Sequence, residues 1–455
     1  MAQRDPAPKR VAQTQKQNSF FGGAAILAAG ILIVKLIGMF YKIPLINIIG
    51  ETGAADFNNA YNIYAVLLTV STAGLPVAVS KLVSEANALN RRNQVRRTFR
   101  LALVLFLTLG LISFLVMFFR ADALAGMMND SKAAAGIRAL APAVVCVGCL
   151  AALRGYSQGH SNMAPTSVSQ IIEALCKLVV GLGLAFWLVK QGKDPDVAAA
   201  GAITGVTVGT VVALVYMVLD FFLSRGRENT RGTDRPDSAG SILANILKIA
   251  VPITLSSSMV GIVTVIDSSL VQGQLQSALN LTEKASRTLY GNYSGALNIY
   301  NLPTSLMAAI TASVIPAVSA ALARRDRRGA ARITGSALRI TALLAFPMGV
   351  GLCVLGRPIM QLLYPALSSQ LAGPLLSTLG LATVSVCMML VCNAVLQAHG
   401  FINLPVLVML AGGGLKILTN YNLVVRPGVG IYGAPAGNIL CFTLCLVLDL
   451  IVIAR

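Results

Sequence analysis

The chain has 455 residues, 56% of them hydrophobic and only 12% charged, with a mean hydropathy of +0.74. A soluble protein carries about twice that charged share, so a soluble domain of useful size is excluded. The net charge of +19 is no nucleic-acid footprint, because the basic residues sit mostly in short stretches between apolar runs, the positive-inside pattern.

The first residues are polar and basic, with Arg4, Lys9, Arg10 and Lys16 before Phe20. They lack a cleavable signal and read as a cytoplasmic tail over 1–19. Apolar runs of about 20 residues then recur, each long enough to cross a bilayer. The expected fold is all-α: a polytopic membrane protein of about twelve transmembrane helices. The spans fall near 20–48, 57–86, 99–120, 135–157, 164–190, 198–224, 242–272, 290–321, 331–356, 371–398, 402–425 and 431–454. The 2–3 loop (Arg91, Arg92, Arg96, Arg97), the 6–7 loop (Arg225, Arg227, Arg231, Arg235) and the 8–9 loop (Arg324, Arg325, Arg327, Arg328) lie on the tail's side. The 1–2 loop offers Glu51 and Asp56 instead, so both termini are expected in the cytoplasm.

Span 2, with Asn58, Asn59, Tyr61, Asn62 and Tyr64 at its head, returns as span 8. Asn62-Ile63-Tyr64 answers Asn298-Ile299-Tyr300, and Pro76 answers Pro316. Further along, Gln158-Gly159-His160 answers Gln397-Ala398-His399, Lys177 answers Lys416, and Asp220 answers Asp449. The pattern predicts two parallel six-helix repeats: an N-lobe over 20–224, a cytoplasmic linker over 225–241 and a C-lobe over 242–455. In transporters so built, a substrate site lies between the halves near the midplane and access alternates.

Charges inside a bilayer are costly, and each is a functional candidate. Lys35 and Lys42 on span 1 are seven residues apart and share a face. They read as a cationic pocket for an anionic headgroup, or as side chains snorkelling to the interface. Asp267, deep in span 7, could bind a coupling proton or sodium ion, pair with Lys35, or hydrogen-bond structurally beside Ser268 and Ser269. Glu173 and Lys177 are i and i+4 on span 5, which favours an intrahelical pair. Arg154 could meet a headgroup or anchor to lipid phosphate. Asn58, Asn62, Tyr64, Asn298, Tyr300 and Asn301 would be wasted on lipid and are expected to line a wet or sugar-binding cavity. Tyr290 and Tyr293 suit an interfacial belt, and Pro76 and Pro316 are expected to kink their helices. Gly201, Gly205 and Gly209 repeat every four residues, a close-packing face. His160 and His399 read as turn residues, and the 8 cysteines as inert thiols, with no metal or cofactor site among them. There is no nucleophile–base–acid set and no P-loop, so an enzyme is not expected.

Lys35-Leu36-Ile37-Gly38, Lys42-Ile43-Pro44-Leu45, Asn62-Ile63-Tyr64, Ala73-Gly74-Leu75-Pro76, Ile266-Asp267-Ser268, Asn301-Leu302-Pro303-Thr304-Ser305-Leu306 and Ser313-Val314-Ile315-Pro316 together resemble one family. It is the polysaccharide-export and lipid-flippase branch of the multidrug/oligosaccharidyl-lipid/polysaccharide (MOP) exporter superfamily, nearest its stage V sporulation protein B group, relatives of the lipid II flippases. The resemblance implies V-shaped lobes around a central cationic cavity. It also implies transfer of an undecaprenyl-pyrophosphate-linked sugar, such as a peptidoglycan precursor, between leaflets. It carries over Lys35, Lys42 and Asp267. The better-known lipid II flippases add basic residues on the second and eighth helices and have fourteen spans. Here those helices offer Asn and Tyr, and about twelve spans are read, which implies either a piece of a longer chain or a different handling of the lipid tail. The expected partners are a lipid-linked oligosaccharide, membrane lipids and a coupling ion, with the chain acting as a monomer. A cation-coupled drug exporter and a non-transporting scaffold for cell-wall synthases are the alternatives.

Overall fold

The computed structural model describes residues 8–72, 74–225, 233–401 and 403–454. Among them every regular element is helical, as the bilayer requires of a segment that must satisfy its own backbone hydrogen bonds. In order they are α1 (Pro8–Thr72), α2 (Leu75–Ala88), α3 (Arg92–Phe119), α4 (Ala121–Met127), α5 (Ala133–Gly159), α6 (Ala164–Cys176) and α7 (Leu182–Lys190). Then come α8 (Pro195–Arg225), α9 (Ala239–Ser277), α10 (Glu283–Ala323), α11 (Arg327–Leu363), α12 (Ser369–Ala398), α13 (Leu404–Val424) and α14 (Gly433–Ala454). A π turn, Lys177–Gly181, joins α6 to α7.

Nine described helices are long and apolar enough to cross a membrane. The chain is therefore an all-helical, multi-pass membrane protein. The other expected spans fall on the second arm of α1, α9 and α10. Of the expected linker, residues 226–232 lie outside the described residues, as do residues 1–7 of the tail and the side chain of Pro316.

Two expected boundaries change. The loop between spans 1 and 2 is a single residue, Gly50, at φ 68° and ψ −167° inside α1, a backbone state that glycine reaches without a Cβ penalty. Glu51 and Asp56 are thus helical. Span 2 is not one helix kinked at Pro76. Its second arm ends at Thr72, and Pro76 starts α2 in the first turn, where its missing N–H costs nothing. Gly74 lies so close to α9 that a Cβ there would collide with the Ala250 carbonyl.

Three main cores form. Tyr41, Leu45 and Ile49 of α1 pack with Ile137 and Leu140 of α5 and Ile203 of α8. Leu75, Val79, Phe99 and Phe106 pack with Ile242, Ile246 and Ala250, the first turns of α9. Ile46, Ala54 and Ala55 of α1 join Leu275, Tyr290, Leu375 and Leu379 of the later helices. The first and ninth helices therefore each feed cores on both sides of the chain's midpoint. Gly205 and Gly209 of α8 close on Gly181 and the Glu173 carbonyl, the close approach that small residues permit.

At the Gly50 end a polar seam ties the halves together. Asn47 donates to the Leu363 carbonyl at 2.8 Å, and Glu51 accepts from the Ser368 N–H at 2.9 Å. Arg287 of α10 lies in a fork on Asp56, with its Nε 3.3 Å from Asp130. Asn59 bridges Asp130 at 2.8 Å and Gln272 at 3.2 Å.

Candidate functional site

A cavity of about 770 Å³ opens between α1, α2, α5, α6 and α10 and reaches Tyr364, next to Leu363 of the seam. Four basic side chains line it, Lys35, Lys42, Arg154 and Lys177, against one carboxylate, Glu173. The seven-residue spacing puts Lys35 and Lys42 on the cavity face of α1. Lys42 donates to Asn298 Oδ1 at 2.6 Å, crossing from α1 to α10. Lys35 is exposed within the protein and stands where the cavity meets a second one.

Lys177 differs from expectation. Its ammonium lies 4.7 Å from the Tyr61 ring centre and 4.9 Å from that of Tyr41. Tyr41 is pinned by donating to the Ala202 carbonyl at 3.2 Å, and Tyr61 stacks on Phe57. The expected Glu173–Lys177 pair is replaced: Glu173 takes Arg154 at 3.1 Å. The helix passes into its π turn at Lys177, which releases the α-helical i,i+4 geometry and turns the ammonium onto the rings. Arg154 also donates to Ser169 at 3.0 Å. The rings attract the Lys177 cation without neutralising it, so the cavity keeps a strong positive field.

Tyr64 lines the cavity, and the buried Asn298 amide nitrogen beside it meets no hydrogen-bond partner. Unmatched buried donors are costly and await a ligand or water. Asn301 is exposed and lines both cavities. Tyr300 turns away into the second cavity, of about 480 Å³. Asn62 is not on either cavity; it donates to Ser268 at 3.2 Å, and Ser268 also receives the Tyr290 hydroxyl at 2.6 Å. Asn58 is spent on the Ala54 carbonyl and Ser294. Tyr290 and Tyr293 are buried, not interfacial, because Ser268 and Asn438 offer their hydroxyls partners inside.

Asp267 is buried outside both cavities and does not meet Lys35. Lys416 of α13 holds it at 2.8 Å, and Asn420 donates to its other oxygen. An acid on span 7 and a base on span 11, both in apolar surroundings, were the available signal. The sequence presents Lys416 as the counterpart of Lys177, with nothing local that pairs it with Asp267. His160 and His399 do cap turns, their Nδ1 atoms each 2.9 Å from a carbonyl four residues back. Among the described residues no group of three or more His, Cys, Asp or Glu could hold a metal.

A family model described as polysaccharide biosynthesis protein matches residues 20–322. The chain belongs to that family. A second model, MatE, matches residues 290–422. The chain is similar to the uncharacterized membrane protein YabM of Bacillus subtilis (strain 168), 27% identical over 91% of this chain and 76% of that protein. The lipid II flippase MurJ of the same organism is 24% identical over 88% of this chain and 77% of its own length. Stage V sporulation protein B of that organism is 24% identical, over 92% and 80%. An inward-facing multidrug resistance MATE family transporter of the MOP superfamily shares the fold, with a TM-score of 0.72, 15% identity and coverage of 93% and 92%. The superfamily and its polysaccharide branch, expected from the quoted motifs, are thus the right ones.

Proposed function

We propose that this chain moves a diphosphate-linked lipid sugar, such as a peptidoglycan precursor, between the leaflets of the cytoplasmic membrane by alternating access. The observation that carries this is the basic cavity, with Lys35, Lys42, Lys177 and Arg154 facing one shared space. A diphosphate is the anion such a field suits, and the amides and rings of Gln158, Gln170, Asn298 and Tyr61 suit the sugar. The similarity to a lipid II flippase supports the same reading. The N-lobe, linker and C-lobe are taken as the moving parts, with both termini cytoplasmic and the cavity open to the cytoplasm. No covalent chemistry is required, so the protein acts as a carrier, not an enzyme, and as a monomer; cell-wall synthases would be downstream users.

The drug-exporter reading is weaker. A cavity lined with lysines repels cations at short range, and Asp267, the acid it needs, already holds Lys416. That pairing also weighs against Asp267 as the site of a coupling proton or sodium ion. The test is a reconstituted flipping assay with lipid II and with a teichoic or capsular precursor. Lys35→Ala is expected to insert normally and lose flipping. Full rescue of a flippase-depleted strain by Lys35→Ala would overturn the proposal.

A further inference from the structure

The second cavity has no role in the account above, yet it shares Lys35 and Asn301 with the first. It lies among α9, α10, α12, α13 and α14, and its volume of about 480 Å³ is in the range of sites that enclose small organic ligands. Its walls are mainly Val386, Met389, Leu390, Met409 and Phe442. Thioethers of this kind adapt to irregular apolar shapes. Two buried polar atoms without a hydrogen-bond partner face it, the Tyr300 hydroxyl, on a residue 97% buried, and Asn393 Oδ1, while Asn301, Thr304 and Thr311 add polar edges. The charged wall belongs to the first cavity, the apolar wall to the second, and Lys35 stands at their junction.

We propose that the second cavity seats the first isoprenoid units of a diphosphate-bearing lipid, with the phosphates at Lys35 and the sugar in the basic cavity. This rests on the flippase reading and adds to it where the chain end next to the phosphate goes. The assignment follows from which wall each part of such a ligand can tolerate. The diphosphate needs cations, and among the described residues Lys35 is the one cation that lines both cavities. The sugar needs several donors and acceptors, which the first cavity supplies in Gln158, Gln170, Arg154 and Glu173. An apolar chain would lose its hydrophobic gain there and recover it against Val386, Met389 and Phe442. The Tyr300 hydroxyl is then free to donate to the phosphate ester oxygen at the chain's head. The polar tip and apolar body of tyrosine match that boundary.

The experiment measures binding of inorganic pyrophosphate, geranyl diphosphate and geraniol to the purified protein in lipid nanodiscs. Wild type is expected to prefer geranyl diphosphate to pyrophosphate by about tenfold or more, the gain from burying a short apolar chain. Val406→Trp and Met409→Trp, which fill the cavity, are expected to erase that preference and leave pyrophosphate binding intact. Lys35→Ala is expected to weaken both anions. A preference that survives both tryptophan variants overturns the tail site while the basic cavity stands. Pyrophosphate failing to bind wild type, with geraniol binding still blocked by the tryptophans, overturns the flippase reading while the apolar site stands. Should the variants not fold, a diazirine-bearing geranyl diphosphate on wild type gives the same decision. Labels on residues 386–393 or 405–410 support the proposal, and labels confined to the lipid-facing sides of α3 or α11 overturn it.

Discussion

Lys177 and Lys416 hold matching places in the repeat, yet one ammonium faces two tyrosine rings and the other a carboxylate. A cation over a ring gains about 0.5–2 kcal/mol and stays a cation. A cation on a carboxylate is spent. The first half thus leaves its charge without a carboxylate, and the second uses its charge to tie α13 to α9. Lys177→Met should therefore lower affinity for pyrophosphate by about tenfold to a hundredfold, the loss of one charge-assisted contact, with little change in unfolding temperature. Binding isotherms beside a thermal melt would check it, and an unchanged affinity would remove Lys177 from the site. The reverse pattern belongs to Asp267 and Lys416. Breaking a buried pair from one side costs about 3–5 kcal/mol, because the other charge is stranded. Asp267→Leu or Lys416→Met alone should destabilise the protein in detergent by about that much, and the double variant by clearly less. Additive losses in the double-mutant cycle would show that the pair is not an energetic unit.

Among the elements, the linker offers the clearest case of a local contact with a pH signature. Asp234 caps the start of α3, accepting from the Asn93 N–H at 2.9 Å and the Gln94 N–H at 3.0 Å, while Asp237 takes Arg91 at 2.8 Å. Partial burial works to raise the Asp234 carboxyl, but those backbone N–H groups and the nearby Arg91 outweigh it and hold it below the usual range. A carboxyl lowered in the folded state adds stability above its unfolded value, about 3.9, and loses it as pH falls through the lower folded value. Linker docking should hold at neutral pH and release only in strong acid, and Asp234→Ala should release it at every pH. Hydrogen exchange at residues 93–97 reads this directly; protection that is indifferent to Asp234→Ala would show that the cap does not hold the linker. The membrane-crossing helices were legible because lipid demands runs of about 20 apolar residues, a signal summed over a whole helix. Gly50, the π turn at Lys177 and the start of α2 at Leu75 were not, since each is an irregularity of one or a few residues chosen by tertiary packing. The cationic wall was half legible: Lys35 and Lys42 share a face by spacing alone, whereas Lys177 lies over the Tyr41 and Tyr61 rings and Arg154 pairs with Glu173, contacts that no local spacing announces.

At the scale of the whole molecule, the seam closes the Gly50 end, and a carrier that alternates must be able to undo it. Its chemistry suits that task. It is built of side-chain hydrogen bonds and one charge cluster, which can exchange partners with water as it opens, whereas an apolar seam would expose its full area. Arg287 is the keystone, because it comes from α10 and meets Asp56 of α1 and Asp130 before α5 at once. Without it, the first half is left with two buried carboxylates and no cation from α10 to pair them, so the tie between the halves is lost and closure strands their charge. Removing one partner of a buried ionic cluster costs about 3–5 kcal/mol, and a two-state equilibrium needs about 5.5 kcal/mol to invert from 1:99 to 99:1. Arg287→Ala should therefore move the protein most of the way toward a state open at the Gly50 end, and Arg287→Lys should move it much less. Lys193 and Lys284 are exposed on either side of that end, so click-reactive spin labels placed there report its width with the native cysteines untouched. A longer distance in Arg287→Ala than in wild type and in Arg287→Lys identifies the seam as the gate. Identical distances in all three would mean that the halves are held together by the apolar contacts of α1, α9 and α10, and that this end does not open through its charges.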